Sequence, residues 1–135
     1  MARQFAIVLG LAGLLAAAGC QQETRTLVRG KATVDGKPLT SKAVTVLFAP
    51  DKDNPLKKIP WGLVDDDGNY QMSTGDREGV PLGSYKAYLA FNVRKSGGAR
   101  LPCHPRYLDA AQSPLSIEVV ADPQPGAYDL KFTEN

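Results

Sequence analysis

Three stretches of this chain hold residue types capable of chemistry: Cys103-His104, the acidic run Asp65-Asp66-Asp67-Gly68-Asn69, and the aromatic residues Trp61, Tyr88 and Tyr107. Cys103 and His104, the sole histidine, put a nucleophile or soft metal ligand beside an imidazole. Pro102 and Pro105 flank them and bias the local chain toward extended conformations, in which adjacent side chains diverge. A hydrogen-bonded Cys-His dyad is therefore not expected, and one Cys with one His falls short of the three or four ligands zinc takes. The pair is expected as a surface-loop feature with a free thiol. The acidic run invites calcium, but an EF-hand loop ends on a bidentate Glu at its twelfth position. Counting from Asp65, that position is Asp76, and Tyr70 and Met72 intervene as strand residues. A hairpin turn whose Asp side chains accept local backbone donors is expected instead.

Other catalytic constellations are missing parts. A Ser-His-Asp triad would need His104 and a presented serine, yet there is no G-x-S-x-G elbow, and Ser96, Ser113 and Ser116 lie in loop or strand contexts. The carboxylate pairs Asp65/Asp67 and Asp76/Glu78 fall in turns where burial cannot split their pKa values. No glycine-rich phosphate loop leads into a helix. The expectation is a protein without catalytic residues, metal or cofactor. Among the aromatics, Trp61 and Tyr88 facing outward would offer flat surfaces to a sugar or a protein. The alternative for Trp61 is to cover one end of the core beside residues 51–60.

The start of the chain sets the compartment. Arg3 and the amino terminus precede an apolar stretch from Phe5 to Ala18, 14 residues long, whereas a membrane-spanning helix needs about 20. Residues 1–19 read as a signal peptide. Ala17-Ala18-Gly19-Cys20 resembles the lipobox of bacterial lipoproteins, which implies cleavage before Cys20 and acylation of its thiol. Ala17 stands where that box usually has Leu. Cys20 and Cys103 are the only cysteines, so lipidation of the first leaves the second without a partner in the chain. Residues 20–26 are then a lipidated cysteine and a short polar tether, with a reach of about 20 Å. The expected location is the cell envelope, at the membrane and facing the periplasm or cell surface.

Lys and Arg number 16 against 14 Asp and Glu, and no basic run exceeds Lys57-Lys58, which argues against a nucleic-acid partner. What remains after the signal is enough for one domain, residues 27–135. Its pattern has period two, broken by Gly, Pro, Asp and Asn. Strands are expected at Val28–Val34, Val44–Phe48, Trp61–Asp65, Tyr70–Thr74, Tyr85–Asn92, Leu115–Val119 and Tyr128–Phe132. Turns are expected at Asp35-Gly36 and Asp66–Asn69, where glycine accepts positive φ. Residues 93–114 form a long connection, and no sustained helical periodicity occurs. Seven short strands in this length describe an all-β fold, a seven-stranded antiparallel β-sandwich.

Three stretches carry a resemblance: GKATVDGKPL (Gly30–Leu39), DDDGNYQM (Asp65–Met72) and PLGSYKAYL (Pro81–Leu89). Their order and spacing are similar to carboxypeptidase-regulatory-like domains, and RYLDAAQSPLSIEV (Arg106–Val119) resembles small lipoproteins of planctomycete-type bacteria. The resemblance implies a prealbumin (transthyretin)-like sandwich and no particular activity. Tyr85 would place its ring in the core and its hydroxyl on a nearby backbone group, as tyrosine corners do.

Two functions stand from different classes. One is a non-catalytic interaction or structural module of the envelope, held to the membrane through lipid on Cys20. The other is a small-ligand or glycan-binding protein using the 93–114 loop with Trp61; a metal-dependent enzyme is a distant third. A pocket lined by Trp61 and Tyr107 would favour ligand binding. A flat sheet edge without a cavity would favour the interaction module.

Overall fold

A computed structural model describes residues 24–135. Cys20, its expected lipidation and the apolar segment before it lie outside the described residues. The described chain is all-β, with twelve strand segments in three sheets and a single 3-10 turn, Pro105–Leu108.

The strands are β1 (Arg25–Thr26), β2 (Arg29–Val34), β3 (Lys37–Pro38), β4 (Val44–Pro50), β5 (Trp61–Leu63) and β6 (Asn69–Gln71). They continue with β7 (Ser73–Thr74), β8 (Arg77–Glu78), β9 (Val80–Pro81), β10 (Gly83–Phe91), β11 (Ser116–Val119) and β12 (Leu130–Phe132). A six-stranded sheet runs β11-β10-β4-β5-β7-β8; a four-stranded one runs β12-β2-β3 with β6 also on β2; β1 pairs with β9. Inward residues of both larger sheets share one buried cluster.

The β4–β10 pair is the backbone of the larger sheet. Its antiparallel register runs from Tyr85 opposite Pro50 to Phe91 opposite Val44. Val44, Val46 and Phe48 on one strand, and Tyr85, Ala87 and Leu89 on the other, are sealed from solvent. The alternation in sequence thus becomes one buried and one outward face. Burying each large apolar side chain contributes about 1.5–3 kcal/mol. The Phe48 and Tyr85 rings pack with centroids 5.9 Å apart. Tyr85 also donates its hydroxyl to the Pro81 carbonyl at 2.7 Å.

The β2–β3 hairpin turns on Asp35 (φ 49°) and Gly36 (φ 83°), the double positive φ of a type I′ turn. Gly30 in β2 is needed for a different reason. A Cβ there would run into the backbone carbonyl of Tyr128, the same carbonyl that accepts the Tyr70 hydroxyl. Burial, with the nearby Asp129 charge and Tyr128 adding to it, raises the Tyr70 pKa, so the phenol stays a donor.

Several expectations are corrected. The strand expected over Tyr70–Thr74 changes sheets at Met72: β6 pairs with β2, whereas β7 pairs with β5 and β8. Met72 is fully buried, and its backbone N–H donates to Val28 O, which holds the crossing in place. β12 runs parallel to β2, not antiparallel, because the alternating pattern of a short strand fixes its buried face and not its direction. Arg25 and Thr26, expected in the tether, form β1, and Thr26 Oγ1 donates to Val120 O at 2.6 Å. Between the strands expected at Tyr70–Thr74 and Tyr85–Asn92 lie two further short ones, β8 and β9; strands of two residues leave no periodic signal.

The 93–114 connection departs furthest from expectation. Cys103 is buried in the core cluster rather than exposed in a surface loop. Because the His104 N–H donates to Thr133 O at 2.8 Å, this part of the loop is drawn onto the chain just after β12 and its thiol turns inward. Tyr107, expected at a binding surface, is also sealed in, with its ring edge-on to Phe132 at 4.9 Å. Its hydroxyl accepts from Thr133 N and Arg106 Nη2. An apolar ring with its polar tip satisfied is cheaper inside than out. Sealed in the core, Tyr107 does not stand at the surface beside Trp61, as a ligand pocket shared by the two would require.

Candidate binding face

Registers across three strand pairs build one outward surface. Tyr88 lies opposite Leu47, Leu47 opposite Trp61, and Trp61 opposite Ser73. Residues directly opposite in a ladder point to the same side. Tyr88, Leu47 and Trp61 therefore stand in one row on the outer face of the six-stranded sheet. The two aromatic positions are separated by two strand spacings, about 10 Å. One step along lies a second row, in which Ala90 faces Thr45 and Thr45 faces Leu63. Trp61 is 39% exposed and Leu63 57% exposed, large apolar groups left in water where an ordinary sheet face would be polar.

Trp61 is held. Its indole N–H donates to Gly75 O at 3.2 Å, which fixes the ring beside the β7–β8 turn. Tyr88 is half-buried by its neighbours, and that burial raises the pKa of its phenol. Neither row contains a charged residue. Charges enter at the margins, through Lys86 in the next row, Glu78 opposite Ser73, Arg94 beside Thr45 and Ala90, and Lys58 beside Gly75.

Leu63 also lines an open depression of about 550 Å³, with Arg29, Lys31, Asp65, Asn69, Gln71 and Asp129. The bridge between Val64 and Tyr70 continues the Trp61–Ser73 ladder, and Gln71 lies opposite Arg29. Arg29 Nε donates to Gln71 Oε1 at 3.1 Å, and Asp129 Oδ1 accepts from Lys31 N at 2.9 Å. A polar basin thus borders the uncharged rows. The basin's two cations stand against two carboxylates.

The other chemistry-bearing residues are occupied elsewhere. Asp65 Oδ1 accepts from Asp67 N at 2.8 Å and Asn69 N at 2.9 Å, the local bonding expected of that turn. His104 Nδ1 accepts from Arg106 N at 3.0 Å, capping the 3-10 turn. Burial pushes the Cys103 thiol up to about 11, so it is protonated at neutral pH and a poor nucleophile. Ser113 is buried with its hydroxyl on Ala87 O, and Ser96 donates to Val93 O. Among the described residues, no group of three or more His, Cys, Asp or Glu side chains is placed to hold a metal. No helix among them is long and apolar enough to cross a membrane.

Sequence reasoning singled out Trp61 and Tyr88 and missed Leu47, Leu63 and the basin. Leu47 and Leu63 occupy the outward positions of strands whose inward positions are also apolar. The usual apolar-in, polar-out alternation fails there, and that failure was the available signal. Comparison with protein-family models, curated proteins and solved structures returned no match.

Proposed function

We propose that this is a non-catalytic, lipid-anchored protein of the bacterial cell envelope, a prealbumin-type β-sandwich tethered through Cys20 that works by contact. One observation carries this reading: the Tyr88–Leu47–Trp61 row, uncharged and outward-facing on the larger sheet. A patch with aromatic anchors and no central charge has the composition of an interface core. Two sheets sharing a single buried cluster support the sandwich architecture. The protonated, buried Cys103, the capping role of His104 and the turn bonds of Asp65 support a binding role over catalysis.

Fractionation of cells expressing the full chain tests the tether. Wild type partitions with membranes, and Cys20→Ser appears in the soluble fraction or stalls as precursor, since stable anchoring takes more than one acyl chain. The contact role is tested with the same protein purified in detergent and mixed with isolated envelope. Trp61→Ala combined with Tyr88→Ala should abolish co-sedimentation while leaving the melting curve near that of wild type. Envelope binding that is indifferent to the double substitution would remove the outer face from the account.

A further inference from the structure

Resting on the outer face as the contact surface, we infer that its partner is a neutral glycan chain. This chain lies along the Tyr88–Leu47–Trp61 row and reaches past Leu63 into the basin of Arg29, Lys31, Asp65 and Asp129. Charge is the first reason. Both rows of the face are uncharged, and the basin's two cations and two carboxylates cancel. Along the rows and in the basin, where the chain lies, a polyanion would find no excess of positive charge to neutralise; the cations Lys86, Arg94 and Lys58 stand beside that path.

The second reason is the pairing of surfaces. A sugar ring has an apolar face of C–H groups and a rim of hydroxyls. Trp61, fixed by its bond to Gly75, and Tyr88 offer flat apolar platforms for the faces. Aromatic rings lose little conformational freedom when they stack. The basin offers the rim what hydroxyls need, donors and acceptors within one concavity. Its internal bonds engage one oxygen of Asp65, one oxygen of Asp129 and Nε of Arg29. Each of those groups keeps further bonding capacity. Leu63 belongs to both surfaces, so a single chain can use the platform and the basin together. The glycan site thus lies on the sheet and not in the 93–114 loop, where Tyr107 is sealed.

The experiment uses the full chain in detergent and, as probe, the glycan fraction of its own envelope after protease digestion and lipid extraction. Binding is expected to saturate and to be nearly unchanged between about 0.05 and 0.5 M salt, because no net charge is neutralised. It should be abolished by periodate, which cleaves vicinal diols. Trp61→Ala should weaken it about tenfold or more, the loss of one anchor contact. Lys31→Ala, whose side chain lines only the basin, should weaken it by a smaller factor. If the intact envelope binds through Trp61 and Tyr88 but the deproteinised glycan does not, the glycan assignment falls while the contact face stands. If neither preparation responds to the face substitutions, both fall.

Discussion

Tyr85 and Pro81 are four residues apart and joined by a buried hydrogen bond, Tyr85 Oη to Pro81 O at 2.7 Å. The bond folds the chain back at the entry to β10 just as the ring enters the core against Phe48. Pro81 is itself paired with Arg25 through β9 and β1, so one side chain ties β10 to β1. Tyr85→Ala should cost about 3–5 kcal/mol, as large-to-small core changes do. Tyr85→Phe keeps the ring, strands the Pro81 carbonyl and should cost about 1–3 kcal/mol. Urea unfolding of the three proteins measures both, and equal stability of Phe and Tyr at this position would deny the bond its role.

Cys103 gives a reactivity and a pH prediction. In the folded protein its thiol should react with maleimide far more slowly than in urea, because it is buried and its pKa is raised to about 11. In the unfolded chain the thiol ionises near 9.0, the ordinary value. Between these values the unfolded state holds fewer protons, so the folded state loses stability as pH rises. The contribution is fully present below about pH 9 and is lost as pH rises through about 11. Cys103→Ala should flatten the stability profile across that window. Cys103→Ser, which buries a hydroxyl among apolar neighbours, should cost about 1–3 kcal/mol.

Gly30 and Gly36 should respond unequally to alanine. At Gly36 a Cβ meets nothing within 4 Å, and only the positive φ resists it. Gly36→Ala should therefore cost about 1 kcal/mol. At Gly30 the methyl meets backbone, the Tyr128 carbonyl, which cannot turn aside as a side chain can. Gly30→Ala should cost about 3 kcal/mol or more. Thermal melts of the pair decide it, and a milder effect at Gly30 would contradict the close approach of these two segments.

Asp65 should act through its turn, with or without calcium. Asp65→Ala removes the acceptor for Asp67 N and Asn69 N and should cost about 1–2 kcal/mol. Neither millimolar calcium nor a chelator should move the melting temperature of wild type. Saturating binding at 100 times Kd would add about 2.7 kcal/mol, several degrees for a domain this size. A shift of that size on adding calcium would make the turn a metal site.

What the sequence disclosed follows from how long each signal is. β4 and β10 were legible because seven to nine residues of alternation leave no doubt about the period, and Asp35-Gly36 because its turn demands a particular backbone. β8 and β9 were not, since two residues have no period, nor was the sheet change at Met72, which only tertiary pairing produces. Cys103 was misplaced because proline neighbours predict extended backbone, which His104 adopts while Pro102 and Cys103 bend, and do not say which side of the chain meets the core. Tyr88 and Trp61 were named as exposed aromatics on type alone. Their membership in one row depends on the β4–β10 and β4–β5 registers, which no local pattern states.

Trp61 is the only tryptophan in the chain, so its fluorescence reports on the proposed contact face without labelling. Acrylamide quenching of the full protein, in detergent and then with added envelope, tests the central claim most directly. The bound protein should show a blue-shifted emission and a clearly shallower quenching slope, as the exposed indole passes from water into a contact. An unchanged slope and emission, with the protein sedimenting with the envelope all the same, would place the contact elsewhere on the molecule.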